Sequence, residues 1–120
     1  VAALTGQSLS DDACLDSENV LAALLGQPQA KGRDDLLQQD NGGGNFGLRS
    51  GNWKLVRQKP GPKAKGPVIN ERPAPGDQLF DLSNDPGEQH NIAAQHPEIL
   101  QKLQSRLETI IAEGRTRPSK

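Results

Sequence analysis

Four groups of residues carry side chains or backbone amides of the kind that do chemistry, and each is tested by spacing. Asp81, Asn84, Asp85 and Glu88 supply oxygen ligands within one short run, the first requirement of a calcium site. A calcium loop needs such ligands at alternate positions, then a glycine and a more distant glutamate. That spacing fails here, and turn chemistry already accounts for Asp85 and Glu88. His90 and His96 are too widely spaced to share one helix face, and no cysteine supports them as metal ligands. The run Asn41-Gly42-Gly43-Gly44-Asn45 offers free amides to an anion. A phosphate or sulfate cradle would need a helix to follow, and the residues that follow are strand-like. Cys14 is the single cysteine, so the chain has no internal disulfide, and its side chain is expected to be small and partly buried. No Ser/His/Asp grouping stands at an informative spacing.

These residues must be held by a modest frame. Leu, Ile, Val and Phe make up 26 of 120 residues, a little above the fraction below which chains tend to stay disordered. With a net charge of −1, the chain is expected to fold as a domain with loose sections. It has no basic excess for nucleic acid and no apolar run long enough to span a bilayer, so neither is an expected partner.

Residues 78–114 carry the strongest signal. Gln78 to Leu82 reads as a strand, and Asp85-Pro86-Gly87-Glu88 predicts a type II turn with Gly87 at positive φ. Asn91 is placed to cap one turn, Ile92 to Gln95. Pro97 then suits the first position of a helix and Glu98 its positive end. Ile99, Leu100, Leu103, Leu107, Ile110 and Ile111 form a stripe at helical spacing, and Gly114 stops it.

Upstream, alternation and turn residues predict strands near 34–39, 46–50 and 53–58, with Ser50-Gly51-Asn52 as a primed hairpin turn. Trp53 is expected to anchor the core. Lys59 to Gly76 is Pro/Gly-rich and reads as a solvated connector. Val1 to Gly6 reads as the last turn of a helix, so the chain is expected to begin inside a longer protein. Asp16 or Ser17 is a candidate cap for a short helix, Glu18 to Leu25, with Val20, Leu21, Leu24 and Leu25 on one face.

The fold class expected is α+β: a four-stranded antiparallel sheet with a long carboxy-terminal helix, 97–113, on one face, plus a short amino-terminal helix. That helix is expected to hide Leu48, Leu55 and Phe80. The organisation expected is a linker with short helices over 1–32, a subdomain over 33–114 with a flexible insert at 59–76, and a disordered tail over 115–120.

The pattern LFDLSNDPGEQHNIAAQHPEIL resembles the carboxy-terminal end of arylsulfatase-type sulfatases, which commonly close with an aromatic-Asp-Leu strand, an Asp-Pro-x-Glu turn and a helix. The run GLRSGNWKLV, Gly47 to Val56, is similar to the arginine-glycine-tryptophan-lysine hairpin of the same subdomain. The resemblance implies a parent enzyme that hydrolyses sulfate esters with calcium and a formylglycine, and a periplasmic or secreted location. It implies no cofactor and no catalytic or metal residue in this stretch. The family's formylglycine arises from a cysteine in a Cys-x-Pro-x-Arg setting, and Cys14 lacks both the proline and the arginine. The partner implied is the large catalytic domain of the parent, with Asn41 and Asn45 as candidates for the rim of its substrate cleft. The rival reading is a stand-alone module binding protein or carbohydrate through the sheet face or the insert.

Overall fold

The computed structural model describes residues 1–40, 44–57 and 76–117. The elements are α1 (Leu21–Leu24), β1 (Asp35–Gln39), β2 (Phe46–Ser50), β3 (Trp53–Arg57), β4 (Gln78–Asp81) and α2 (Pro97–Glu113). The strands form one antiparallel sheet in chain order. The β2–β3 connection is two residues long, because Ser50 pairs with Trp53. Gly51 takes φ 57° there, the left-handed value that a two-residue hairpin asks of its first central residue and that glycine adopts without strain. Most of the expected insert, 59–75, lies outside the described residues.

Register decides what the sheet buries. Leu37, Leu48, Leu55 and Leu79 are cross-strand neighbours and so form one row across all four strands. Leu48, Leu55 and Leu79 are fully buried and cluster with Leu103, Leu107 and Ile110 of α2. Leu37, Phe46, Trp53, Ile99 and Leu100 pack around that cluster. Trp53 therefore anchors the core as expected, and its ring lies 5.2 Å from that of His96.

Phe80 departs from expectation. It pairs with Lys54, one residue out of phase with Leu79, so it points away from α2 although it too is buried. Both members of Leu79-Phe80 are apolar, and alternation within β4 alone does not say which one faces the helix.

Helix α2 begins and ends as its sequence dictates. Pro97 occupies the first turn, His96 stands at the N-cap without a side-chain cap bond, and Gly114 closes the helix at φ 64°. Charged side chains tie its flanks to the sheet. Arg106 donates to Asp35 of β1 at 2.7 Å, and Arg57 of β3 pairs with both Asp77 and Glu108. Burial pulls the Arg57 pKa down, but its bonds to Glu108 and Asp77 outweigh that and raise it, so the guanidinium stays charged.

The amino-terminal helix is shorter than expected. Val20 stands at the N-cap of α1 without a side-chain cap bond, and Leu24 and Leu25 are exposed. Asp16, a candidate cap, is engaged elsewhere: its Oδ1 accepts the Thr116 amide at 2.8 Å and the Thr116 hydroxyl at 3.1 Å. Of the residues assigned to a disordered tail, 115–117 are described, and all three make hydrogen bonds. Arg115 donates from two nitrogens to the two Asp11 oxygens, each at 3.1 Å. The Arg117 guanidinium donates to the carbonyls of Asp11 and Ala13, and its amide to that of Leu15.

The burial pattern yields a stability test. Leu107→Ala should destabilise the domain by about 2–5 kcal/mol through lost burial and a cavity. Gln101→Ala, on the exposed side of α2, should change stability by less than about 0.5 kcal/mol in the same urea titrations. Gln104 is unsuited as the exposed control, because its amide donates to Asp77 at 2.9 Å. Equal losses at Leu107 and Gln101 would show that α2 does not dock through this stripe.

Candidate functional site

The polar run after β4 is a structural staple. Asp81 Oδ1 accepts the Ser83 amide at 3.0 Å and its hydroxyl at 2.6 Å, while Oδ2 accepts the Asn84 side-chain amide at 2.7 Å. Those bonds favour the ionised form and lower the Asp81 pKa, the Ser83 hydroxyl contributing most. Asp85 is held low in the same way, first by the Gln89 amide and then by the His90 amide, which donates at 2.7 Å. Glu88 accepts from the Lys54 ammonium at 2.7 Å. Asn91 Oδ1 accepts the amides of Leu79 and Ala93, so it ties β4 to the turn before α2 as well as capping that turn.

The turn itself is not type II. The left-handed φ falls on Glu88, at 53°, and not on Gly87. The Glu88 amide still donates to the Asp85 carbonyl at 3.1 Å. With Asp85 accepting amides from beyond the turn, the chain reverses one residue later than Pro-Gly chemistry alone requires.

Each carboxylate is already turned toward protein donors, and the described residues contain no group of three or more His, Cys, Asp or Glu side chains that could hold an ion. The two histidines stay apart in role. His90 is largely exposed beside Asp85, and His96 packs on Trp53. Cys14 is exposed rather than partly buried, in a loop at φ 53°.

At the β1–β2 hairpin, Asp40 organises the tip. Its carboxylate accepts the Gly44 amide at 3.0 Å, the Asn45 amide at 3.3 Å and the Asn45 side-chain amide at 2.8 Å. Asn45 is thus oriented by Asp40, and Asn41 lies outside the described residues.

What sequence reasoning missed is the other face of the sheet. Leu36, Arg49, Lys54 and Phe80 form a transverse row there, one step out of phase with the leucine row. A hollow of about 400 Å³ opens at its β1 end, lined by Arg33, Asp34, Leu36, Arg49, Gly51 and Asn52. A second, of about 240 Å³, lies nearer the hairpin tip and includes Gly47, Lys54 and Val56. The signal was the out-of-phase partner of each buried leucine, legible only once register is known.

Comparison with known proteins gives this frame a family. No family model matches the chain. It is 36% identical over 114 residues to the N-acetylgalactosamine-6-O-sulfatase of Bacteroides thetaiotaomicron, a match covering 92% of this chain and 21% of that relative. A solved sulfatase structure from work on the metabolism of multiple glycosaminoglycans by the same organism superposes with a TM-score of 0.71 at 33% identity. It covers 91% of this chain and 22% of that one. The crystal structure of Ps i-CgsB matches with a TM-score of 0.59 at 22% identity, over 90% of this chain and 21% of its own, and speaks to the fold alone. The class is therefore a sulfatase subdomain. More particularly, the match is consistent with a carboxy-terminal sheet-and-helix subdomain of a sulfatase, and the chain spans about a fifth of the length of the relatives it matches.

The lowered carboxylates set a pH dependence. Asp81 and Asp85 have folded pKa values below the ordinary carboxylate value, so their contribution is present above that value and is lost as pH falls through the folded ones. The urea midpoint should be flat above about pH 5 and fall below about pH 4. In Asp81→Asn the fall should be shallower. A midpoint constant down to pH 2, or an unaltered slope in the variant, would show that these carboxylates do not hold the connector.

Proposed function

We propose that this chain is the structural carboxy-terminal subdomain of an enzyme that hydrolyses sulfate esters, and that it docks on a large catalytic domain of the same polypeptide. The observation that carries this is the match to a sulfatase across 92% of the chain but only 21% of the relative, with the same fold in solved structures. The relative's activity on N-acetylgalactosamine 6-sulfate supports a sulfated saccharide as the substrate class. In this reading the calcium and formylglycine belong to the catalytic domain. Sulfate ester hydrolysis needs a nucleophile, an electrostatic clamp for the sulfate oxygens and an acid for the leaving group. The described residues converge no such set. Asn45, oriented by Asp40 at the hairpin tip, and Asn41 beside it in sequence are the residues proposed for the rim of the cleft.

Three measurements test the proposal. The reading frame that encodes Val1 should also encode a Cys- or Ser-x-Pro-x-Arg segment upstream. Purified chain alone, with calcium and after co-expression with a formylglycine-generating enzyme, should turn over a chromogenic aryl sulfate no faster than buffer. Mass spectrometry should find Cys14 unconverted. Turnover abolished by Cys14→Ala would make this a small enzyme in its own right. A frame without the upstream segment would favour the stand-alone interaction module instead.

A further inference from the structure

The two broad surfaces of the domain differ in what they present. The outer side of α2 carries Gln101, Lys102, Ser105, Glu108 and Thr109, all exposed and polar, with Ile111 as an apolar exception. That composition suits water. The inner face of the sheet is covered by α2. On its outer face, which α2 does not touch, Phe80 and Gln78 at the β4 end are buried and Lys54 is tied to Glu88, whereas the β1 end at Leu36 and Arg49 stays exposed.

That outer face mixes apolar and cationic groups. Leu36 is 40% exposed in the middle of β1, directly across from Arg49. Arg57, Arg106 and Arg115 each pair with a carboxylate, whereas among the described residues Arg33 and Arg49 pair with none. Both are nevertheless aimed. Arg49 Nε donates to the Gly51 carbonyl at 3.1 Å, and Arg33 Nη2 donates to the Asp16 carbonyl at 2.6 Å. Each is held by one bond to a backbone oxygen, which leaves most of its guanidinium fork for another acceptor. Both line the 400 Å³ hollow, with Leu36 as apolar wall and Asn52 as a further donor. Asp34 shares the lining and offsets one of the two charges, so the hollow keeps a net positive character.

We propose that the β1 end of this outer face, Leu36 and Arg49 with the arginine-lined hollow, is the surface that seats against the rest of the sulfatase polypeptide. The facing domain presents a carboxylate to Arg49 and Arg33 beside an apolar patch on Leu36. The inference rests on the sulfatase reading above, and names the surface that does the docking. Three observations point to that occupant. About four-fifths of the relatives' length lies outside the match, so a large partner surface exists in them. An apolar centre flanked by arginine is the composition that protein interfaces favour. A planar guanidinium fork matches a carboxylate in two bonds, and desolvation strengthens the pair.

Hydroxyl-radical footprinting read by mass spectrometry tests this, comparing the 120-residue chain alone with the intact parent polypeptide. Leu36 should label severalfold less in the parent, while Ile111, 44% exposed on α2, labels equally in both. Arg49→Glu should change the unfolding midpoint of the chain alone little, because the side chain is exposed and makes only one bond, to the Gly51 carbonyl. In the parent it should lower the midpoint and restore Leu36 labelling. Equal Leu36 labelling in a parent that has a catalytic domain would overturn the docking face alone, as would protection of Ile111 in its place. Protection of Leu36 in the isolated chain by added chondroitin sulfate, with none in the parent, would assign the hollow to a polyanion and overturn it too. A reading frame with no catalytic domain would remove this proposal together with the sulfatase reading, and that failure is read from sequence rather than from labelling.

Discussion

The row Leu37–Leu48–Leu55–Leu79 is the constraint on which the rest of the structure depends. Each strand contributes one leucine, and the row is sealed by Leu103, Leu107 and Ile110 from α2. A slip of one residue would turn a strand's leucine away from the helix, and in one direction it would bring a polar neighbour under it. At β2 the intruder would be Arg49, and at β3 it would be Lys54. Register is therefore enforced by burial. The tight Gly51-Asn52 turn enforces it a second time between β2 and β3.

Hydrophobic burial is non-directional, so it does not by itself fix how α2 lies across the row. The charged ties supply that direction. Arg106 reaches Asp35 on the β1 side, and Arg57 on β3 reaches Glu108, with Asp77 shared between Arg57 and Gln104. Most of these side chains are only half-buried, so each pair is worth little alone. Their value lies in being at opposite flanks of one helix. The clasp of Asp11 and Asp16 on residues 115–117 extends the same logic to an amino-terminal segment that contributes no side chain to the buried core.

Much of this was legible in the sequence, and the parts that were not share a cause. Strands β1 to β4 and α2 announce themselves through period and punctuation, which are local. Pro97 and Gly114 mark the helix ends because each answers a backbone requirement at its own position. Phe80 was misplaced because a strand with two adjacent apolar residues carries no phase of its own. The turn at Asp85 was mistyped because the side chain of Asp85 recruits the Gln89 and His90 amides, a competition that Pro-Gly statistics do not contain. Asp16 read as a helix cap because its partner, Thr116, is at the far end of the chain. The arginine hollow was invisible for the same reason, since Arg33 and Arg49 meet only through strand pairing. Of the rim residues, Asn45 shows its tether to Asp40, and no local pattern foretold that bond.

The described residues bury seven hydrophobic side chains, a small core. Small cores leave little margin over chain entropy. The exposed large hydrophobic residues are concentrated where no described element covers them: Val1, Leu4, Leu9, Leu24 and Leu25 in the amino-terminal segment, and Leu36 on the outer sheet face. A partner that binds only the folded form would add its own free energy to that margin. The residues that stabilise the domain internally and those free to engage a partner are separated by the sheet itself. One face carries the leucine row, the β1 end of the other carries the exposed arginine and leucine, and alternation along each strand lets both be specified by the same short strands.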